Sequence, residues 1–179
     1  MENNMNMNME KNMELTHFDE KGNARMVDVS EKNVTSRHAT ARGRIKVSRA
    51  VYEAITKKQI AKGDVLTVAT TAGIMGVKKT WELIPMCHIL QLTGCSVQWQ
   101  MYPELCEVEC ICTVRCSGQT GVEMEALTGV SVALLTVYDM CKALDKRMEI
   151  GEIYLAEKAG GKSGHITNQP RPAGGTDEI

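Results

Sequence analysis

The stretch Cys106-Glu107-Val108-Glu109-Cys110-Ile111-Cys112-Thr113-Val114-Arg115-Cys116 decides the fold class, because it admits two incompatible readings. By spacing it is a metal array of four thiols. By parity it is a strand, with Cys106, Val108, Cys110, Cys112, Val114 and Cys116 on one face and Glu107, Glu109, Thr113 and Arg115 on the other. Geometry chooses between them. A strand rises about 3.3 Å per residue, so its ten steps spread the sulfurs over roughly 30 Å. Tetrahedral zinc needs its sulfurs about 2.3 Å from one point. Thiols that share a face with valines are small core residues, and no metal ligand set is expected.

Outward from this strand the same alternation recurs. Ala41, Gly43, Ile45 and Val47 alternate with Thr40, Arg42, Arg44 and Lys46. Cys95, Val97, Trp99 and Met101 alternate with Ser96, Gln98 and Gln100, and Ile153 with Leu155 marks a last, shorter strand. Each has one apolar face, so the sheet is antiparallel and covered on one side. Ser48 caps a first helix through Lys58. Asp64 caps a second to about Leu83, where Pro85 stops it. A third runs from about Val122 to Arg147. Gly129 permits a break there, but the apolar run around it argues for continuity. Its middle is apolar all round, which calls for burial on more than one side; one sheet covers one side, and a partner subunit is the natural cover for the other. The order strand, helix, helix, strand, strand, helix, strand predicts an α+β, ferredoxin-like plan. A four-stranded antiparallel sheet packs on helices, with one additional helix.

The chain has 179 residues, enough for a single domain over residues 15–167. The Asn/Met-rich residues 1–14 read as a disordered tail, and residues 168–179, NQPRPAGGTDEI, as a flexible one. The net charge of -1 and the scarcity of aromatics, one Phe, two Trp and four Tyr, argue against a nucleic-acid binder. Seven cysteines and no signal peptide predict free thiols in a reducing, cytoplasmic compartment. The longest uncharged run, Ala126 to Tyr138, is shorter than the about 20 residues a bilayer requires, so no membrane is expected.

Several polar residues have both a plain and a chemical reading. Lys62 precedes the cap Asp64 at the positive end of a helix dipole, which favours a bound anion and lowers an ammonium pKa; plainly read, it is a surface lysine. Asp139 and Lys142, three apart on an apolar helix, are either a structural ion pair or a catalytic one. Glu123 and Glu125 suit the helix start, and Lys78 and Lys79 the end of the second helix. His88 follows Pro85-Met86-Cys87 in a loop. Arg37, Arg42, Arg44 and Lys46 form either a solvated strand face or a polyphosphate site. Gly160 to Gly164 is no P-loop, since Ala156 stands where the first glycine belongs. Its backbone can still turn toward an anion, with Lys162 adding charge.

Taken in order, these residues resemble one family, cyclic pyranopterin monophosphate synthase, also called molybdenum cofactor biosynthesis protein C. The matching stretches are MVDVS (Met26 to Ser30), KGDV (Lys62 to Val65), AGIMGVKKTWELIPMCH (Ala72 to His88), TGVEMEALTGVSVALLTVYDMCKA (Thr120 to Ala143) and GGKSG (Gly160 to Gly164). One departure is Ile89, where the family usually has proline after Cys-His. The resemblance implies a lyase that converts (8S)-3′,8-cyclo-7,8-dihydroguanosine 5′-triphosphate to cyclic pyranopterin monophosphate and pyrophosphate. It further implies a hexamer, a trimer of dimers, with sites shared near a dimer interface. By motif, Lys62, Asp139 and Lys142 would be the acid–base group. Glu123, Met124 and Glu125 would lie against the base or pterin. Cys87, His88, Lys78, Lys162 and Arg37 would line the rest of the substrate site. No cofactor is required, and Mg²⁺ can accompany the triphosphate. One rival is a non-catalytic, ligand-sensing ferredoxin-like oligomer, which leaves the charged groups on the third helix unexplained. The other is an RNA-binding domain, which would need strand aromatics and a basic sheet face.

Overall fold

The computed structural model describes residues 21–58, 60, 63–162 and 164–170. The expected N-terminal tail, the C-terminal residues beyond 170 and Lys62 lie outside the described residues. In chain order the elements are β1 (Thr35–Lys46), α1 (Arg49–Thr56), α2 (Val65–Lys78), α3 (Thr80–Leu83), β2 (Leu92–Tyr102), β3 (Glu107–Gly118), α4 (Glu123–Cys141), β4 (Glu149–Ala159) and β5 (Ile166–Thr167). The strands lie in the order β2-β3-β1-β4-β5, every neighbour antiparallel. The first four strands and the helices between them form the expected α+β ferredoxin-like plan. β5 is an addition, a two-residue strand pairing Ile166 and Thr167 with Lys158 and Glu157.

Parity places the core. Ala39, Ala41 and Ile45 of β1 and Val108, Cys110, Cys112 and Val114 of β3 are fully buried beneath Ala126, Val130, Ala133, Leu134 and Val137 of α4. The β3 cysteines are therefore core residues, and burial pushes the Cys110 thiol up to about 12. Cys106 departs from the expected strand: it precedes β3 with φ 51. α4 is unbroken across Gly129. The glycine serves close packing instead, since a Cβ there would stand 2.6 Å from Val77 Cγ2 and 2.7 Å from Cys112 Sγ. The second cover of α4 is thus α2 of the same chain, although Leu135 of α4 and Met75 of α2 remain exposed. By length and composition alone α4 could cross a membrane, but half of it is buried inside the protein, as in a core helix.

Two helices end differently from expectation. The second divides at Lys79, leaving α3 as a separate four-residue turn. The third stops at Cys141 instead of Arg147. Leu144 N–H donates back to Cys141 O, and the Asp145 carboxylate accepts from Arg147 N–H at 2.9 Å, a local turn that competes with the helix.

The sheet face away from the helices carries an ion network. Glu109, predicted to point to solvent, is only 2% exposed. Tyr102 donates to it at 3.0 Å, Arg42 at 3.3 Å and Arg44 at 3.4 Å. Arg44 also lies 4.8 Å from the centre of the Tyr102 ring. Arg42 and Arg44 are therefore used within the sheet, and the expected cluster with Arg37 divides across its two faces.

Candidate active site

At one end of the sheet, the segment before β1, the β3–α4 loop and the loop after β4 enclose a cavity of about 670 Å³. It joins a second of about 520 Å³, which reaches the loop after α3; both are lined by Lys32, Thr120, Gly121, Glu123 and Lys158. A groove of about 750 Å³ lies elsewhere, between β4 and residues 167–170, and among the described residues Glu152 is its one charged lining residue. The joined cavities gather several cations from the described residues and are the candidate site.

One end of the site gathers the cations Arg37, Lys162 and Lys32, with the carboxylates of Asp28 and Glu31 in the same lining. Arg37, on the opposite face of β1 from Arg42, donates from Nε to Gly118 O at 2.9 Å and from Nη2 to Gln119 O at 3.1 Å. Those bonds fix the guanidinium against the β3–α4 loop. Gly161 packs directly on it: φ is 73, and a Cβ would collide with Nη1. Lys162 follows on the same turn and lines the cavity beside Arg37, with Lys32 opposite. The turn closes through Gly164 N–H to Gly161 O at 3.3 Å.

The other end is acidic. Glu123 and Glu125 occupy the first turn of α4, where the helix dipole favours negative charge. Glu123 accepts from Lys158 Nζ of β4 at 2.8 Å in a half-buried pair. Glu125 is 5% exposed. Burial pushes its carboxyl up to about 6, with the charge of Glu123 adding to the shift. Glu125 in turn helps to raise the Cys87 thiol, mainly lifted by burial. His88 Nε2–H donates to Val27 O at 2.8 Å, tying the loop after α3 to the segment before β1.

The fold thus gathers Arg37, Cys87, His88, Glu123, Met124, Glu125 and Lys162 around the joined cavities. Lys158 and Lys32 join them, two lysines the sequence did not single out. Parity counted from Ile153 and Leu155 would turn Lys158 outward; the register shift between Thr40 and Ala41 instead sets it opposite the buried Ala39. Lys78, at the C-terminal end of α2, lies away from this lining and acts electrostatically on Cys95. Asp139 and Lys142 are also apart. They close at 2.6 Å as an exposed pair at the C-terminal end of α4, and Asp139 holds the Lys142 ammonium above its ordinary pKa through its hydrogen bond and charge. Glu125 and Asp139 are fourteen positions apart on one continuous helix. At about 1.5 Å per residue that is roughly 21 Å.

Residues 26–161 match the MoaC family. A cyclic pyranopterin monophosphate synthase of Desulfitobacterium hafniense is 58% identical over 158 residues, covering 88% of this chain and 96% of the relative. Proteins of the same name from Heliobacterium modesticaldum, 58% identical over 155 residues with 87% and 98% covered, and Clostridium botulinum, 56% over 153 with 86% and 96%, are similarly close.

Proposed function

The chain belongs to the MoaC family, and from that premise we propose that it converts (8S)-3′,8-cyclo-7,8-dihydroguanosine 5′-triphosphate to cyclic pyranopterin monophosphate, releasing pyrophosphate. It is an enzyme, a lyase of molybdenum-cofactor synthesis. The observation that carries the specific reaction is a cavity that brings several cations and the carboxylates of the α4 start together. Arg37, Lys162 and Lys32 make one end suited to a triphosphate, and Glu123 with Glu125 makes the other suited to the N–H edge of a guanine-derived ring. Cys87 and His88, from the loop after α3, line the cavity beside that acidic end. Lys158, already bound to Glu123, can exchange that partner for a phosphate oxygen.

The chemistry asks for proton transfers and expulsion of pyrophosphate. A ring opens, a C–N linkage is hydrolysed and a pyrazine ring forms. A sugar oxygen then bonds to the α-phosphorus as the bond to the pyrophosphate oxygen breaks. Lys62, Asp139 and Lys142 are the acid–base group. Asp139 holds Lys142 as a charged ammonium above its ordinary pKa, so proton transfer from it requires that pair to open. Lys78 binds phosphate. No cofactor is needed, and Mg²⁺ accompanies the triphosphate.

One compact centre cannot draw on both ends of α4 in one chain. That geometry asks for a second chain at each site; the cytoplasmic hexamer, a trimer of dimers, is what the family resemblance implies. Lys62, Asp139, Lys142 and Lys78 of one chain face the cavity of another. Incubation with the enzymatically prepared cyclic triphosphate tests the reaction. Cyclic pyranopterin monophosphate and stoichiometric pyrophosphate are expected, with Lys62→Ala and Lys142→Ala each losing about 10²-fold or more in rate while keeping the fold. An unchanged nucleotide after prolonged incubation with folded wild-type enzyme rules the reaction out and favours a ligand-sensing role.

A further inference from the structure

On β1 and β4, adjacent residues face opposite ways, and two pairs of neighbours use this. Arg37 and Lys158 point into the cavity. Directly behind them, His38 and Glu157 meet on the other face of the sheet, His38 Nε2 lying 3.3 Å from Glu157 Oε1. His165, the residue just before β5, brings its Nε2 to the same oxygen at 2.9 Å. Glu157 thus joins three points: β1, β4 before the glycine turn, and the chain after it. The turn enclosed by this clamp is the one that carries Lys162 and packs Gly161 on Arg37. Beyond it, β5 pairs with Glu157 and Lys158, and Asn168 donates from N to Ala156 O at 2.8 Å and from Nδ2 to Leu155 O at 2.9 Å.

We propose that Glu157, gripped by His38 and His165, is a positioning residue that fixes the glycine turn so that Lys162 stands beside Arg37. This rests on the phosphate role given to Lys162 above. The Nε2–H of either imidazole can donate to the carboxylate. The hydrogen bonds from His38 and then His165 hold the Glu157 carboxyl below its ordinary pKa. Arg115 is the register partner of His38 on β3. Arg42, two places along β1, is engaged with Glu109. On β4, Lys158 is turned away to Glu123, and Tyr154 pairs with Arg42 in register.

The experiment combines amide hydrogen exchange with steady-state kinetics on the full-length enzyme. Peptides covering residues 159–168 are expected to be protected in the parent and to lose that protection severalfold in Glu157→Gln at the same pH. His165→Leu, which keeps the His38 contact, should fall between. KM for the cyclic triphosphate should rise roughly fivefold in Glu157→Gln with kcat within about twofold, since surface contacts of this kind are individually modest. Glu157→Asp should recover part of the loss. Wild-type protection in Glu157→Gln overturns the clamp, and altered protection with unchanged KM overturns its positioning of Lys162. An enzyme that turns over no cyclic triphosphate sinks the phosphate role, while the exchange data still decide the clamp.

Discussion

Glu125 shows how one buried side chain links the site to stability. Its carboxyl is raised to about 6 in the folded chain from 4.5 unfolded, chiefly by burial. Between those values the native state holds more of the proton, so this group's contribution is full below about pH 4.5 and declines as pH rises through about 6. A shift of about 1.5 units corresponds to about 2 kcal/mol. Urea unfolding at fixed protein concentration should therefore show Glu125→Gln gaining stability over the parent at pH 7.5, with the two converging near pH 4.5. A constant difference across that range would mean that burial does not govern this carboxyl. Lys158 makes a second prediction. Lys158→Ala leaves Glu123 half-buried without its 2.8 Å partner, so KM should rise about tenfold while the fold survives. Near-normal KM would take Lys158 out of the phosphate end.

At the scale of elements, α4 carries the most information. Gly129→Ala would gain about 1 kcal/mol in helix propensity, but its methyl group meets Val77 and Cys112 at 2.6 and 2.7 Å. Overpacking of that kind costs about 1 to 3 kcal/mol, so the unfolding midpoint should fall; a raised midpoint would mean that α2 and α4 part easily. The existence of α4, the strand parity and the caps at Ser48 and Asp64 were legible because each is a local pattern. What was not legible is long-range. Glu109 broke polar-out parity because Arg42, Arg44 and Tyr102 converge from neighbouring strands and satisfy it. α2 rather than a partner covers the second side of α4 because small residues at Gly73, Gly76 and Gly129 let the helices approach, which a hydropathy count does not register. Within the candidate site, the residues on short loops at one sheet end came together. Lys78, Asp139 and Lys142 did not, because they sit at the far ends of helices whose other ends or faces build the cavity and core.

At the scale of the molecule, that separation is the main constraint. The cavity of one chain offers anion-binding cations and the carboxylates of Asp28, Glu31, Glu123 and Glu125, but none of Asp139, Lys142 or Lys78. Leu135 and Met75 are exposed on the same helical layer as the Asp139–Lys142 pair. A reaction centre assembled from two chains reconciles the roughly 21 Å along α4 with a single small substrate. Subunit mixing tests this most directly. Glu125→Ala and Lys142→Ala proteins, each inactive alone, are dissociated, combined and reassembled, and pyrophosphate release is measured. Shared sites predict a substantial fraction of wild-type activity in the mixed oligomers, because some interfaces pair an intact cavity with an intact Lys142. Demonstrably mixed oligomers that remain as inactive as their parents would contradict it and place the whole site within one chain.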